Sequence, residues 1–166
     1  MTGLLLRNRL LLIAVALLLT TVSSAQTLTL IVLGEVTKPL ALQPVDFKAM
    51  LHTEITAADR DGKEHRYAGV PLITLLNQAG ASMGAALKGK NLTKYVVVKA
   101  ADGYEVVFAL AELDPDFSTR TILLADSVDG APLADGVGPY RVVVPGEKKP
   151  ARWIRQVTAI EVKLAK

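Results

Sequence analysis

One stretch of the sequence, residues 129–153, limits the possible folds of this chain more than any other. It begins with the turn pair Asp129-Gly130 and continues through residues 136–139, a Gly-Val-Gly-Pro run that suits neither a helix nor a central strand. Residues 140–144, with three consecutive valines, predict a buried strand, and Pro145-Gly146 ends it. The sequence therefore predicts a buried strand between two loops rich in glycine and proline.

Cations cluster at both ends of this predicted strand. Arg141 lies at its start, and Lys148, Lys149 and Arg152 follow its end. Cations on short, stiff loops are well suited to bind a phosphate or a carboxylate. The alternative is an ordinary solvated surface, on which most lysines and arginines lie.

The first 25 residues predict a secretory signal peptide. Arg7 and Arg9 precede an unbroken apolar run at residues 10–19, and Ser23-Ser24-Ala25 supplies small residues for cleavage. An uncleaved N-terminal anchor is the alternative. We therefore expect a periplasmic or secreted protein whose single domain spans residues 26–166.

Charge and cysteine content exclude several functions. The chain has 19 basic and 16 acidic residues, and two of the arginines lie in the predicted signal peptide, so the domain itself is nearly balanced. It has no basic stripe and only 5% aromatic residues, so we expect no nucleic-acid partner. Because there is no cysteine, the domain must fold without disulfides and has no thiolate for catalysis or metal binding.

The order of the predicted elements indicates an α+β fold with a mixed β-sheet, hairpins and one or two helices. The clearest helix begins at Pro71 and ends before Gly80, with Leu72, Leu75 and Leu76 on one buried face. Tight-turn sequences predict two hairpins, at residues 59–62 and at residues 102–103. Further strands are predicted at residues 28–36, 52–58, 64–67, 94–100, 104–108, 121–125 and 157–164, with a short helix from Pro44, a helical turn at 109–113 and a loop at 81–91.

Five motifs in this order resemble the oxidoreductase molybdopterin-binding domain, which has the sulfite-oxidase-like fold. The resemblance covers nearly all of the chain after the predicted signal peptide, from about residue 30 to residue 162. The motifs are Tyr67-Ala-Gly-Val-Pro-Leu72, Asp102-Gly-Tyr104, Ile122-Leu-Leu-Ala125 with Asp129-Gly-Ala-Pro-Leu133, Gly138-Pro-Tyr-Arg-Val-Val-Val-Pro-Gly146, and Arg152-Trp153.

The resemblance implies a molybdopterin cofactor and a set of cofactor-binding residues. In the family, an arginine at the place of Arg141 contacts the pterin, and a basic residue at the place of Arg152 reaches the cofactor phosphate. We therefore predict that Tyr140, Arg141, Lys149 and Arg152 bind the cofactor or another small anion. Two departures stand against catalysis: the family's molybdenum-binding cysteine is missing, and residues 135–138 lack the histidine often found there.

Three functions follow from the resemblance and its departures. The first is a secreted, non-catalytic binding module for a pterin phosphate or another small anion. The second is a molybdopterin-dependent oxidoreductase, or a subunit of one, that has no cysteine ligand and works with a membrane or periplasmic redox partner. The third is a structural or partner-binding domain with a vestigial pocket.

The two histidines, His52 and His65, flank the first predicted hairpin and are candidates for contact across it. Two imidazoles without carboxylates placed beside them fall short of a metal-ligand set. We therefore assign no metal ligand and no catalytic residue from the sequence.

Overall fold

A computed structural model describes residues 28–165, so the predicted signal peptide lies outside the described residues. Ten strands, three α-helices and three short 3-10 helices make up this part of the chain. The strands are β1 (Leu30–Gly34), β2 (Leu40–Leu42), β3 (Thr53–Ala58), β4 (Glu64–Pro71), β5 (Lys94–Ala100), β6 (Glu105–Ala109), β7 (Leu123–Val128), β8 (Ala131–Pro132), β9 (Arg141–Val143) and β10 (Val157–Leu164). The helices are α1 (Pro44–Ala49), α2 (Leu72–Gln78) and α3 (Leu110–Leu113), and the 3-10 helices are Gly84–Ala86, Gly89–Thr93 and Pro150–Arg152.

The strands form two five-stranded sheets. The first has the order β2-β1-β10-β5-β6, and within it β1 runs parallel to β10 while the other neighbours are antiparallel. In the second, β3, β4, β7 and β8 are neighbours in that order, and β9 also pairs with β7. The strands β5 and β9 are rich in valine, which favours such sheets, and Val96, Val98, Val142 and Val143 belong to one hydrophobic core.

The two sheets are tied together next to β9. The Val142 N–H donates to the Ile154 carbonyl, and the Val157 N–H donates to the Tyr140 carbonyl. The segment between Trp153 and β10 therefore lies alongside β9 before it continues as a strand of the other sheet. This arrangement places both glycine-rich loops of residues 129–153 near the sheet junction.

The predicted α+β fold with a mixed sheet is confirmed, and several bounds agree closely. β5 and β10 have the predicted bounds, and α2 ends before Gly80, which has the positive φ of 72° expected of a helix stop. The structure adds two short strands, β2 and β8, and places two 3-10 helices where residues 81–91 predicted a loop. Within residues 28–165, none of the helices combines the length and the apolar character that crossing a membrane requires.

Candidate anion-binding site

Arg141, the first residue of β9, lies in a closed network of charge and aromatic contacts. Its Nη1 and Nη2 donate to the two carboxylate oxygens of Asp59 at 2.7 and 2.9 Å, and the Tyr67 hydroxyl donates to the same carboxylate at 2.7 Å. The guanidinium also lies 5.1 Å from the ring centroid of Trp153 and 5.7 Å from that of Tyr67. A paired geometry of this kind is the strongest that an arginine makes with a carboxylate.

This network changes the chemistry of its members. The bonds from Arg141 hold the pKa of Asp59 well below its usual range, and burial together with the bond to Asp59 raises the pKa of Tyr67. Both terminal nitrogens of the Arg141 guanidinium therefore have a carboxylate partner. Its Nε is buried and has no hydrogen-bond partner among the described residues. The Asp59 carboxylate therefore already compensates the charge of Arg141, which lowers its attraction for an anion.

A groove lined by Arg60, Arg141, Trp153 and Arg155 lies over this network; we call it the basic groove. It consists of two cavities of about 500 and 320 Å³, and both are lined by Arg60, Trp153 and Arg155. The smaller cavity also reaches Arg141, and its volume suits a small ligand. Arg60 and Arg155 are exposed, and neither forms an ion pair with a carboxylate of residues 28–165.

The backbone that carries Arg60 is fixed by a tight turn. The Gly62 N–H donates to the Asp59 carbonyl, the Asp59 N–H donates to the Lys63 carbonyl, and the Arg60 N–H donates to an Asp59 carboxylate oxygen. Gly62 has a φ of 77°, a conformation that glycine adopts readily. Because the Arg141 guanidinium also binds the Asp59 carboxylate, the backbone of Arg60 is held in place.

The backbone that carries Arg155 is fixed on both sides. The carbonyl of Ile154 accepts from β9, the Gln156 N–H donates to Val137, and the Gln156 carbonyl accepts from Ala101. Gln156 has a φ of 50°, which a residue with a side chain rarely adopts. Three backbone hydrogen bonds of Ile154 and Gln156 therefore fix the segment that carries Arg155.

The basic groove is lined by charges of both signs. Three arginines and three aspartates, Asp59, Asp61 and Asp102, line its two cavities, and His65 lies at the smaller one. The His65 ring nitrogens lie 2.7 Å from Asp129 and 3.1 Å from Asp61. Both hydrogen bonds raise the pKa of His65, and the bond to Asp129 has the larger effect. Since both partners are hydrogen-bond acceptors, the arrangement requires the doubly protonated ring, whose charge lies beside these two carboxylates.

Arg152 lies in a different set of contacts. Its guanidinium donates to Glu112 at 3.1 Å and to Glu147, and it also donates to the carbonyl of Val107 at 3.2 Å. Burial alone would lower the pKa of Arg152, but the bonds to these two carboxylates outweigh it and raise the pKa. Arg141 and Arg152 therefore have no carboxylate partner in common, and Arg152 does not line the basic groove.

Tyr140 and Lys149 also lie outside the lining of the basic groove. Tyr140 is buried, packs on Phe47 with ring centroids 4.5 Å apart and lines a neighbouring groove. Lys149 is exposed and lines neither cavity of the basic groove. Of the four residues predicted from the sequence, the structure thus brings only Arg141 into the basic groove.

Sequence reasoning missed Arg60 and Arg155 as candidate ligands of an anion. A signal for Arg60 was present, because an Asp-Arg-Asp-Gly turn must expose its second side chain. Arg155 follows the Arg152-Trp153 pair by two residues, but nothing local shows which of these cations lacks a carboxylate partner. That distinction depends on residues far away in the sequence.

The two histidines do not contact each other across the hairpin; each has its own carboxylate. The Nε2 of His52 lies 3.1 Å from Asp126, whereas His65 lies between Asp61 and Asp129. Within residues 28–165, no three histidines or carboxylates are grouped so that they could hold a metal ion.

Comparisons with known proteins identify the family and the fold. Residues 18–166 match the family described as the oxidoreductase molybdopterin binding domain. No curated protein sequence matches the chain significantly. Among solved structures, the chain is similar to the sulfane dehydrogenase SoxCD from Paracoccus pantotrophus, with 23% identity and a TM-score of 0.63. The match covers 81% of this chain and 37% of that chain, so this protein spans well under half of its structural relative.

Proposed function

The chain belongs to the oxidoreductase molybdopterin binding domain family, and we propose that it is a secreted or periplasmic, non-catalytic module that binds a pterin phosphate or another small anion in the basic groove. The observation that carries the proposal is that Arg60 and Arg155 line the same two cavities as Trp153 and have no ion-pair partner within residues 28–165. Cations held on a fixed backbone lose little entropy when they bind an anion.

The residues of the groove fit the anionic part of a molybdopterin. Arg60 and Arg155 supply forked donors for phosphate oxygens, and Trp153 supplies part of an aromatic wall. The buried Nε of Arg141 is a further donor that has no partner in this part of the chain. When bound in catalytic relatives, the cofactor supplies redox chemistry at its metal; here the chain's own residues bind and orient its phosphate.

The residues do not fit the metal part of the cofactor as the family's catalytic members hold it. Those members use a cysteine thiolate, and the whole chain contains no cysteine. For this reason we propose binding and derive no redox step. A membrane or periplasmic redox partner belongs to the oxidoreductase alternative, in which the metal is held without a protein thiolate.

The experiment that separates the functions is an analysis of protein purified from a host that makes molybdopterin. Its metal content and the fluorescent pterin released on oxidation are measured together. Pterin without molybdenum supports the binding module, whereas stoichiometric molybdenum and pterin support the oxidoreductase. A protein that contains neither, and that also fails to bind pyrophosphate, supports a domain with a vestigial pocket.

Binding of a simple anion tests the groove directly. Pyrophosphate is a suitable probe, since it resembles a cofactor phosphate, and Trp153, the only tryptophan, lines both cavities and reports on binding through its fluorescence. Arg60→Ala and Arg155→Ala should each weaken binding about tenfold, because a charge-assisted bond contributes about 1.5–3 kcal/mol. Arg120→Ala is the matched control, since Arg120 is exposed and lies outside the groove.

That Lys149 and Arg152 bind an anion remains a prediction. The same titration tests them, because Lys149→Ala and Arg152→Ala remove cations that do not line the basic groove. Weaker pyrophosphate binding in either variant would extend the site beyond the groove. Unchanged binding would leave Arg60 and Arg155 as its cationic residues.

A further inference from the structure

A second groove lies on the other side of residues 136–140, and we call it the apolar groove. It has a volume of about 830 Å³, and it shares Gly136 and Gln156 with the basic groove. Most of its lining is apolar, with Leu133 and Pro139 among its walls. Size, apolar walls and a few polar groups are the usual properties of a small-molecule site.

Tyr140 is a buried polar residue in the lining of this groove. Only 3% of the residue is exposed, it lines the groove, and its hydroxyl is buried with no partner among the described residues. Burial raises the pKa of Tyr140, so the hydroxyl is protonated at neutral pH. A buried hydroxyl without a partner costs about 1–3 kcal/mol, and a bound acceptor oxygen would remove this cost.

The other polar groups of the groove already have partners or balance each other. The Nδ1 of His52 lies 2.8 Å from the Met50 carbonyl and its Nε2 3.1 Å from Asp126, so both ring nitrogens face acceptors and the ring carries both protons. Asp126 also accepts from the Ser127 hydroxyl at 3.1 Å. At the exposed rim, Lys48 and Asp135 have opposite charges.

The charges around the apolar groove therefore cancel, whereas in the basic groove Arg60 and Arg155 have no ion-pair partner among the described residues. The cations Lys48 and His52 are matched by the carboxylates Asp126 and Asp135. Such a groove offers little attraction to an anion, but its walls favour an uncharged apolar body. The buried hydroxyl of Tyr140, which has no partner among the described residues, favours a ligand with a carbonyl oxygen, since such an oxygen accepts its hydrogen bond.

We propose that the apolar groove is a second binding site, and that its ligand is an uncharged, largely apolar compound with a carbonyl oxygen, a class that includes the quinones. The Tyr140 hydroxyl donates to the carbonyl, and the walls formed by Leu133 and Pro139 cover the apolar part of the ligand. Because Tyr140 and Arg141 are neighbours in an extended segment, their side chains point to opposite faces. The two ligands are therefore held on opposite sides of one backbone segment, each in its own groove.

The test measures binding of 1,4-naphthoquinone and of naphthalene by equilibrium dialysis. Naphthalene has the same ring system and lacks the oxygens, so the ratio of the two affinities isolates the carbonyl contact. The wild-type protein should prefer naphthoquinone, and Tyr140→Phe should reduce that preference about fivefold, the effect of one net hydrogen bond. Tyr104→Phe is the control, since its hydroxyl donates to Ala151 beside the basic groove.

Three results would overturn the proposal. They are no measurable binding of naphthoquinone, the same preference in the wild type and in Tyr140→Phe, and displacement of naphthoquinone by pyrophosphate. The last would show that the compound had bound in the basic groove. Pyrophosphate binding by Tyr140→Phe, measured in parallel, shows that the variant is folded and tests the basic groove independently.

Discussion

The basic groove and the apolar groove share a wall and differ in what their charges do. In the basic groove, Arg60 and Arg155 have no carboxylate partner among the described residues, although aspartates also line the groove. In the apolar groove, His52 and Asp126 compensate each other, and the unused group is the neutral hydroxyl of Tyr140. The difference teaches that the pairing of the charges, more than their number, determines which ligand each groove attracts.

The same lesson applies within the basic groove. Arg141 and Arg60 are both arginines of one groove, yet Asp59 neutralises the first and leaves the second free. The buried pair supports the groove, and the exposed arginines are available to a ligand. The following predictions test this division, beginning with the largest effect.

Removing Asp59 should cause the largest loss of stability. Asp59→Ala leaves Arg141, whose side chain is 10% exposed, without its carboxylate, and breaking a buried pair costs about 3–5 kcal/mol. Chemical denaturation measures the change in the free energy of unfolding. Asp126→Ala is the control from the apolar groove: His52 is more exposed than Arg141, so that loss should be clearly smaller. Equal losses of stability in Asp59→Ala and Asp126→Ala would contradict the difference between the two grooves.

The hydroxyls of two buried tyrosines should have different effects on stability. Tyr67→Phe removes a donor to the Asp59 carboxylate and should destabilise the protein by about 2 kcal/mol, in the range for bonds to charged groups. Tyr140→Phe removes a hydroxyl that has no partner in residues 28–165, so it should leave stability unchanged or raise it by up to about 1 kcal/mol. A clear loss in Tyr140→Phe would reveal a partner for its hydroxyl and weaken the second site.

The stability of the protein should fall as the pH rises above about 6.5. The pKa of His65 is raised by Asp129 and Asp61, and that of His52 by Met50 and Asp126 against the effect of burial. A raised pKa in the folded state means that the stabilisation is complete below the unfolded value of about 6.5 and is lost above it. Thermal unfolding at several pH values measures this fall.

A glutamine variant of His65 separates the contributions of the two histidines. His65→Gln should reduce the dependence of Tm on pH and leave the part that belongs to His52. Pyrophosphate binding should show the same direction, since deprotonation of His65 leaves Asp61 and Asp129 uncompensated near the basic groove. A Tm that rises over this pH range in the wild type would contradict the assignment of charged imidazoles.

Local sequence patterns were enough to predict much of the fold. The Asp59–Gly62 turn and the Asp102-Gly103 turn form hairpins as predicted, because turn chemistry is decided by neighbouring residues. The family and its sulfite-oxidase-like fold were also predicted correctly from five motifs. β2 was missed because only one strand was predicted in this region, at residues 28–36, whereas the chain turns after it and pairs again with β1.

The candidate site could be predicted only in part. Arg141 was identified from its motif, but its pairing with Asp59 joins residues that are 82 positions apart. Arg152 is likewise paired with Glu112, 40 positions away. Because the availability of each cation depends on such distant partners, the sequence could not separate Arg60 and Arg155 from the paired arginines.

The most direct test of the central claim is a fluorescence titration of Trp153 with pyrophosphate at low ionic strength. It compares the wild type with the double variant Arg60→Ala/Arg155→Ala and with the control Arg120→Ala. We predict saturable binding in the wild type and in the control, and a loss of about 100-fold in affinity in the double variant, the product of two tenfold effects. Binding that is equally strong in all three proteins would contradict the claim that the unpaired arginines of the basic groove hold the anion.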